Sequence, residues 1–297
     1  MSNQPFIRQV ELLIGPLEEW RGGGNQDLAL RIFSDGSNDG LRIRFAVRKH
    51  IISTASPTVI SVYNLGPKLR ASLQKSNAQI VLRAGWANTG LTTIFSGSLL
   101  ACVHQREGAD IVTQLISLSG FGGCARTTIA GTFTEGASIT EIVTGFAGVI
   151  PGVKVDPKLI QISEHFVGSQ GMSFPPIPVA EALDKLARVY GFSWWIDKGY
   201  FHALDDEQSI SGGEVFLSTN NGFLFRVEPM LVSPMQVKAG VSVHSLFNPG
   251  IEAGKTVRIE STVNPQLNGS YKVHTLSHSG DTHGSQWDTH VESWVVV

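Results

Sequence analysis

The chain has 297 residues, of which 16% are charged and 32 are glycine, with a formal net charge of −2. This is long enough for two or three domains, each burying its own core. The near-neutral balance excludes a global basic field that would hold nucleic acid by counterion release. The two cysteines, Cys102 and Cys124, are too few for a disulfide framework and read as reduced, half-buried thiols.

Low charge with many glycines and β-branched residues favours a β-rich fold with tight turns over a helical bundle. Residues 1–10 show no basic region leading into an apolar core. No run approaches the roughly 20 apolar residues of a membrane span. The expectation is a chain that folds in a cytoplasm and does not insert into a membrane.

Residues 6–120 read as successive short strands at 9–14, 28–33, 41–47, 58–63, 79–84 and 93–100. Gly22-Gly23-Gly24-Asn25, residues 35–40 and Asn88-Thr89-Gly90 separate them with residue types that tolerate positive φ. Regular strands of this length suggest a small closed barrel or a sandwich. One short helix is expected at 67–74, with Leu69 and Leu73 on one face.

The hydrophobic period then changes. Ser138 stands three residues before Glu141 as in a capping box, and Ile139, Ile142, Val143 and Phe146 recur at helical spacing. A second helix begins at Pro178, buries Val179, Leu183, Leu186 and Tyr190, and stops at Gly191, where a left-handed cap suits glycine. Residues 168–176 between them read as a loop. Strands at 192–197 and 200–204, joined across Lys198-Gly199, complete a compact α+β insert over residues 122–208. From 209 the strand pattern returns, giving divisions at 1–121, 122–208 and 209–297.

Several constellations invite a chemical reading. Gly250 to Thr256 ends in Gly-Lys-Thr, but a phosphate loop needs its first glycine where Pro249 stands, and a helix where residues 257–260 read as a strand. His274, His278, His283 and His290, with Asp281, Asp288 and Glu292, form the densest titratable group. On a hairpin His274, His278, His290 and Glu292 could share one face and hold a transition metal; the plainer reading is a solvated or subunit-facing strand, and no metal or cofactor is assigned.

No Gly-x-Ser-x-Gly elbow occurs, and Glu135, Glu141, Glu164 and Glu181 read as helix-terminal or surface charges, so no catalytic residue is assigned and no enzyme is expected. Trp194 and Trp195, with Tyr200 and Phe201 across the turn, suggest either a sugar-stacking face or a split between core and interface. Adjacent strand residues point opposite ways, which favours the split.

The last thirty residues are the most specific. Two alternating runs flank a Gly- and Asp-rich turn, with Tyr271, Val273 and Thr275 on one face and Lys272, His274, Leu276 and His278 on the other. The final strand, ending at Val295-Val296-Val297, is expected to be pinned into a sheet, so that removing residues 268–297 unfolds the second β region.

Asn268-Gly269-x-Tyr271-Lys272-Val273, then His278-Ser279-Gly280-Asp281-Thr282, then Gly284-x-x-Trp287-x-Thr289 resemble the end of the baseplate hub proteins of contractile-tailed bacteriophages, the late control protein D family. Leu246-Phe247-Asn248-Pro249 and the strand at 256–260 agree with it. Looser matches at Val62 to Gly66, Val81 to Trp86 and Ile94 to Gly97 extend it over most of the chain.

The resemblance implies two tail-tube-like β-barrel domains flanking the α+β insert. It implies a homotrimer whose six barrels form a pseudo-sixfold ring between the tail tube and a central spike, in the virion's baseplate. Its partners would be spike, tube and wedge proteins, the insert facing outward toward them, and DNA would pass without sequence-specific contact. The rivals are the hub of a phage-like contractile injection system and a cell-wall glycan-binding accessory module.

Overall fold

A computed structural model describes residues 7–16, 30–37, 40–53, 57–73, 78–119, 121–231 and 239–295. The expected turn at Gly22-Gly23-Gly24-Asn25, the start of the strand expected at 28, Asn38 and Asp39, and the last two residues lie outside these.

Alternation sets the sheet. In β3 (Ile43–His50), Ile43, Phe45 and Val47 are buried while Arg44, Ala46 and Arg48 are exposed, because successive side chains leave opposite faces of the strand. The alternation recurs in stretches of β2 (Leu30–Ser34), β4 (Thr58–Tyr63), β5 (Ala78–Trp86), β6 (Gly90–Glu107) and β7 (Asp110–Leu118), whereas β1 (Arg8–Pro16) is buried on both faces from Val10 to Gly15. Helix α1 (Pro67–Leu73) buries Leu73 but leaves Leu69 exposed, against expectation.

The middle of the chain is α+β, as its helical periods imply. It contains α2 (Phe121–Arg126), β8 (Thr128–Phe133), α3 (Ile139–Gly148), β9 (Lys154–Gln161), β10 (Met172–Pro178), α4 (Val179–Tyr190), β11 (Phe192–Asp197) and β12 (Tyr200–Asp205). Ser138 caps α3, its hydroxyl accepting the Glu141 amide at 3.4 Å. Gly191 closes α4 at φ 71°. Residues 168–176, expected as a loop, contain the start of β10, which pairs with β8 and bulges between Phe174 and Ile177 around its prolines. Strand β9 was not anticipated either; Pro157 within it masks the pattern, and it pairs parallel to β12.

The last third holds β13 (Val215–Ser218), β14 (Leu224–Leu231), β15 (Ala239–Leu246), β16 (Thr256–Glu260), β17 (Gly269–Asp281) and β18 (Trp287–Val295). Among the described residues one 13-stranded sheet runs through both β regions in the order β14-β15-β18-β17-β3-β4-β7-β6-β5-β1-β2, with β16 also on β17 and β13 on β16. Within it a five-strand order occurs twice. β3-β4-β7-β6-β5 repeats as β14-β15-β18-β17-β16, antiparallel at every step.

The two series join at β17. Its first residues pair with β16, residues 275–281 pair with β3, and β18 runs along its other edge. Among the described residues three hydrophobic cores follow. The first gathers β1 to β7 and also takes Phe247 and Trp287 from the far end of the chain. The second lies within the middle region, and the third within the last strands, joined by Ile51, Trp195 and Leu204.

Ion pairs seat the middle region on this sheet. Lys49 at the end of β3 meets Asp197 at 2.7 Å, and Lys198 and Lys255 both bind Glu252. Burial depresses the Lys49 ammonium despite its partner. Burial opposes ionisation of Glu252, yet Lys198 and Lys255 outweigh it and bring its carboxyl down to about 2.

Because β17 and β18 wall both β cores, truncation before Asn268 is expected to unfold the first β region as well as the second. Circular dichroism melting and limited proteolysis of the truncated chain check this: a protease-resistant fragment spanning residues 7–118 would contradict it.

Candidate functional site

The C-terminal motif resolves into a set of local devices. The Asn268 side-chain oxygen accepts the Ser261 amide at 2.7 Å, and the Tyr271 hydroxyl donates to the Leu267 carbonyl at 2.9 Å. The buried Lys272 ammonium donates to the carbonyls of Asp205 and Asp206 at 3.1 Å each, tying β17 to the middle region. Gly280 has no Cβ because one would collide with the Phe45 ring and lie 2.8 Å from Trp287. Trp287 packs with centroid separations of 5.6, 5.9 and 4.9 Å from Phe45, Trp86 and Phe247. The upstream Asn248 accepts the Gly250 amide at 2.9 Å and donates its own amide to Thr289 Oγ1 at 3.1 Å.

Asp281 is the anchor of the tip. Arg42 Nε reaches its two oxygens at 3.0 and 3.2 Å, and a terminal guanidinium nitrogen reaches Oδ2 at 2.6 Å. The His283 and Gly284 amides donate to Oδ1 at 3.0 Å each. Burial alone would raise this carboxyl, but the Arg42 contact and the two amides hold it below the usual carboxylate range. Thr282 Oγ1 accepts the Ile43 amide at 3.0 Å, so the tip is sewn to β3 by both strands of contact. Arg42, 239 positions away, gave no local signal in the sequence.

The histidines do not converge. A bulge at His274, between Val273 and Thr275, inserts one extra residue against β18, and the facing of everything beyond it reverses. Leu276 therefore joins Tyr271 and Val273 in the third core rather than opposing them. His274 stacks on Trp294 with 3.4 Å between centroids. His278 is buried, 2.9 Å from Thr289 Oγ1. His283 reaches the Ser37 carbonyl at 3.2 Å, and exposed His290 meets Ser242 at 3.1 Å. Among the described residues no group of three or more His, Cys, Asp or Glu is placed to hold a metal ion.

The remaining constellations are also structural. Gly254 has φ 84° and a Cβ there would lie 3.0 Å from the Trp195 ring, while Thr256 opens strand β16; the Gly254 amide donates to the Val273 carbonyl at 2.8 Å. Trp194 lies in the second core with its indole nitrogen on Asp184 at 2.9 Å, and Trp195 lies in the third. Phe201 is fully buried. The tandem tryptophans thus split between two cores, and neither offers an outward face to a sugar or a spike. A groove of about 550 Å³ runs between β8 and α3, lined by Ile129, Phe133, Ile142 and Phe146.

What the large sheet does present is backbone. Among the described residues, β2, β13 and β14 each have one unpaired edge. So do residues 101–107 of β6 on the side away from β7, since its pairing with β5 stops at Ser98. Such edges are templates for another strand.

Two outcomes follow from the hairpin. Gly280→Ala is expected to lower stability by about 1–3 kcal/mol through overpacking against Phe45 and Trp287, read from the urea midpoint at unchanged slope. Burial, with Lys49 and Lys198 adding repulsion, pushes His278 down to about 3, against about 6.5 in an unfolded chain. Its contribution is intact above pH 6.5 and is lost as pH falls toward 3, because only the unfolded chain takes up the proton. Between pH 6 and 4, His278→Asn is expected to flatten the stability slope by about 1.4 kcal/mol per pH unit; an unchanged slope would show that His278 is protonated when folded.

Comparison with known proteins agrees with this architecture. A search of curated protein sequences gives no match. Among solved structures, a tail protein from Neisseria meningitidis MC58 is similar with a TM-score of 0.63 at 9% identity over 96% of both chains. The 43 kDa tail protein of prophage MuSo2 from Shewanella oneidensis gives 0.61 at 9% identity, again over 96% of both. The E. coli c3393 protein, a type VI secretion component described as similar to the T4 bacteriophage tail proteins gp27 and gp5, gives 0.58 at 8% identity over 85% of this chain and 72% of that one. These likenesses show a shared, mainly β, tail-protein fold. The profile of the baseplate hub gp41 family matches residues 29–292, and the chain therefore belongs to that family of structural baseplate hubs.

Proposed function

We propose that three copies of this chain form a pseudo-sixfold ring that joins a phage tail tube to the central spike and lets DNA through. The observation that carries this is the repeated strand order, β3-β4-β7-β6-β5 and β14-β15-β18-β17-β16. Two similar β units per chain let three chains present six, which matches a sixfold tube above to a threefold spike below.

In this reading residues 1–121 and 209–297 supply the two tube-like units and residues 122–208 the insert. The last hairpin crosses that division, since Trp287 and Phe247 fill the first core. The units are held in one sheet by β17, so their relative orientation is built into each chain before assembly. A near-neutral net charge of −2 suits a passage that must not retain the genome by counterion release. No step requires catalysis, and the protein acts as a structural element of the virion baseplate, with spike, tube and wedge proteins as partners. The hub of a contractile injection system would use the same geometry with no genome to pass. The glycan-binding reading is weakened, because Trp194, Trp195 and Phe201 are buried and Tyr200 alone of the four aromatics is exposed.

Light scattering of the chain alone and co-expressed with its spike protein tests the proposal. The expected result is a mass three times that of one chain, in at least the second case. A monomeric mass at high concentration, with the neighbouring tail proteins present, would contradict it.

A further inference from the structure

The ring just proposed requires copies to meet edge to edge, and the chain contains a template for that meeting. Strands β6 and β17 repeat one another in detail. Each forms a hairpin with the next strand and carries a one-residue bulge against it, at Leu100 in β6 and at His274 in β17. Before the bulge each pairs with the preceding strand, β5 or β16. Four residues past each bulge a histidine faces a threonine across the hairpin. His104 Nδ1 lies 3.1 Å from Thr113 Oγ1, and His278 Nδ1 lies 2.9 Å from Thr289 Oγ1. Counted from the bulges, residues 101–107 of β6 match residues 275–281 of β17.

In β17 that segment pairs with β3, from Thr275 opposite His50 to Asp281 opposite Arg44. In β6 no described strand occupies the matching edge. Strand β3 itself corresponds to β14, since each opens its five-strand series. Following the ladders outward from the matched threonines, Val62 and Ser245 correspond, then Ile43 and Leu224. One step on, past the bulge at Phe225, Arg226 matches Arg44, Val227 matches Phe45 and Glu228 matches Ala46. The outer edge of β14, like that of residues 101–107, is unpaired among the described residues.

We propose that β14 of one copy pairs antiparallel with residues 101–107 of β6 in the next copy. Arg226 then stands opposite Glu107, and Glu228 opposite Gln105. This repeats between chains the junction that β3 and β17 make within one, and it rests on the ring reading above.

The charges fit the register. Arg44 lies 3.6 Å from Asp281 in the internal junction, and the seam sets Arg226 against Glu107. The exposed Val103 (45%) lies on the edge that the seam covers. Pro229 falls opposite His104 and supplies no donor, so the seam forms with one hydrogen bond fewer. A proline there also discourages pairing with arbitrary strands. The contact joins different surfaces of the two chains, so it closes only as a ring. Three such seams alternate with three internal β3–β17 junctions.

The test is Gln105→Cys with Glu228→Cys in the full chain carrying Cys102→Ser. Both substituted positions are exposed, and the matched internal pair, Ser279 with Ala46, is directly opposed. A non-hydrogen-bonded pair has Cα atoms about 4.5 Å apart, within reach of a disulfide. With the spike protein co-expressed, mild oxidation is expected to link most chains into dimers and closed trimers on a non-reducing gel, and neither single cysteine variant links. A trimeric mass by light scattering without these links overturns the seam and leaves the ring standing. A monomeric mass under the same conditions overturns both.

Discussion

The structure depends on one strand serving two β units at once. Strand β17 carries β18 along one edge, and on the other it passes from β16 to β3 at the His274 bulge. A strand has only two edges, so this handover is what makes one continuous sheet of two series. The bulge has a physical purpose in it. By inserting a residue it reverses the facing of the strand, so that Tyr271 and Val273 before it, and Leu276 just past it, fill the third core while Trp287 on the partner strand enters the first.

The distal half of the hairpin is held by charge as well as by the packing of Trp287. Asp281 collects a two-point guanidinium contact and two backbone amides, which satisfies a carboxylate that burial would otherwise penalise. Arg42 is held in turn over the Tyr63 ring, 4.7 Å from its centroid. The hairpin tip, β3 and β4 thus form one cluster, and residues far apart in sequence fix the angle between the two β units. The ring proposed above needs that angle to be stiff.

The sequence made the C-terminal hairpin legible because its turn residues and alternation are local. The capping of α3 by Ser138 and the Gly191 stop of α4 were legible for the same reason. What escaped was nonlocal or disguised. Prolines at 157, 175 and 176 hid β9 and β10, since a residue type that weakens a strand still fits an edge or a bulge. The bulge at His274 defeated a strict two-residue period, and with it the shared face imagined for His274, His278 and His290. The pairing of β17 with β3, and of Asp281 with Arg42, spans more than two hundred residues and leaves no pattern in either segment. The tandem tryptophans were correctly expected to diverge, but both sides proved to be core.

The central claim is that two related β units in one chain, locked through a shared strand, let a threefold assembly imitate a sixfold one. Electron cryo-microscopy of the assembled hub tests it most directly. The account predicts six similar β units at one radius around an open axial channel, with continuous β pairing from each unit to the next. Units at two different radii, or a threefold bundle with no axial opening, would contradict it.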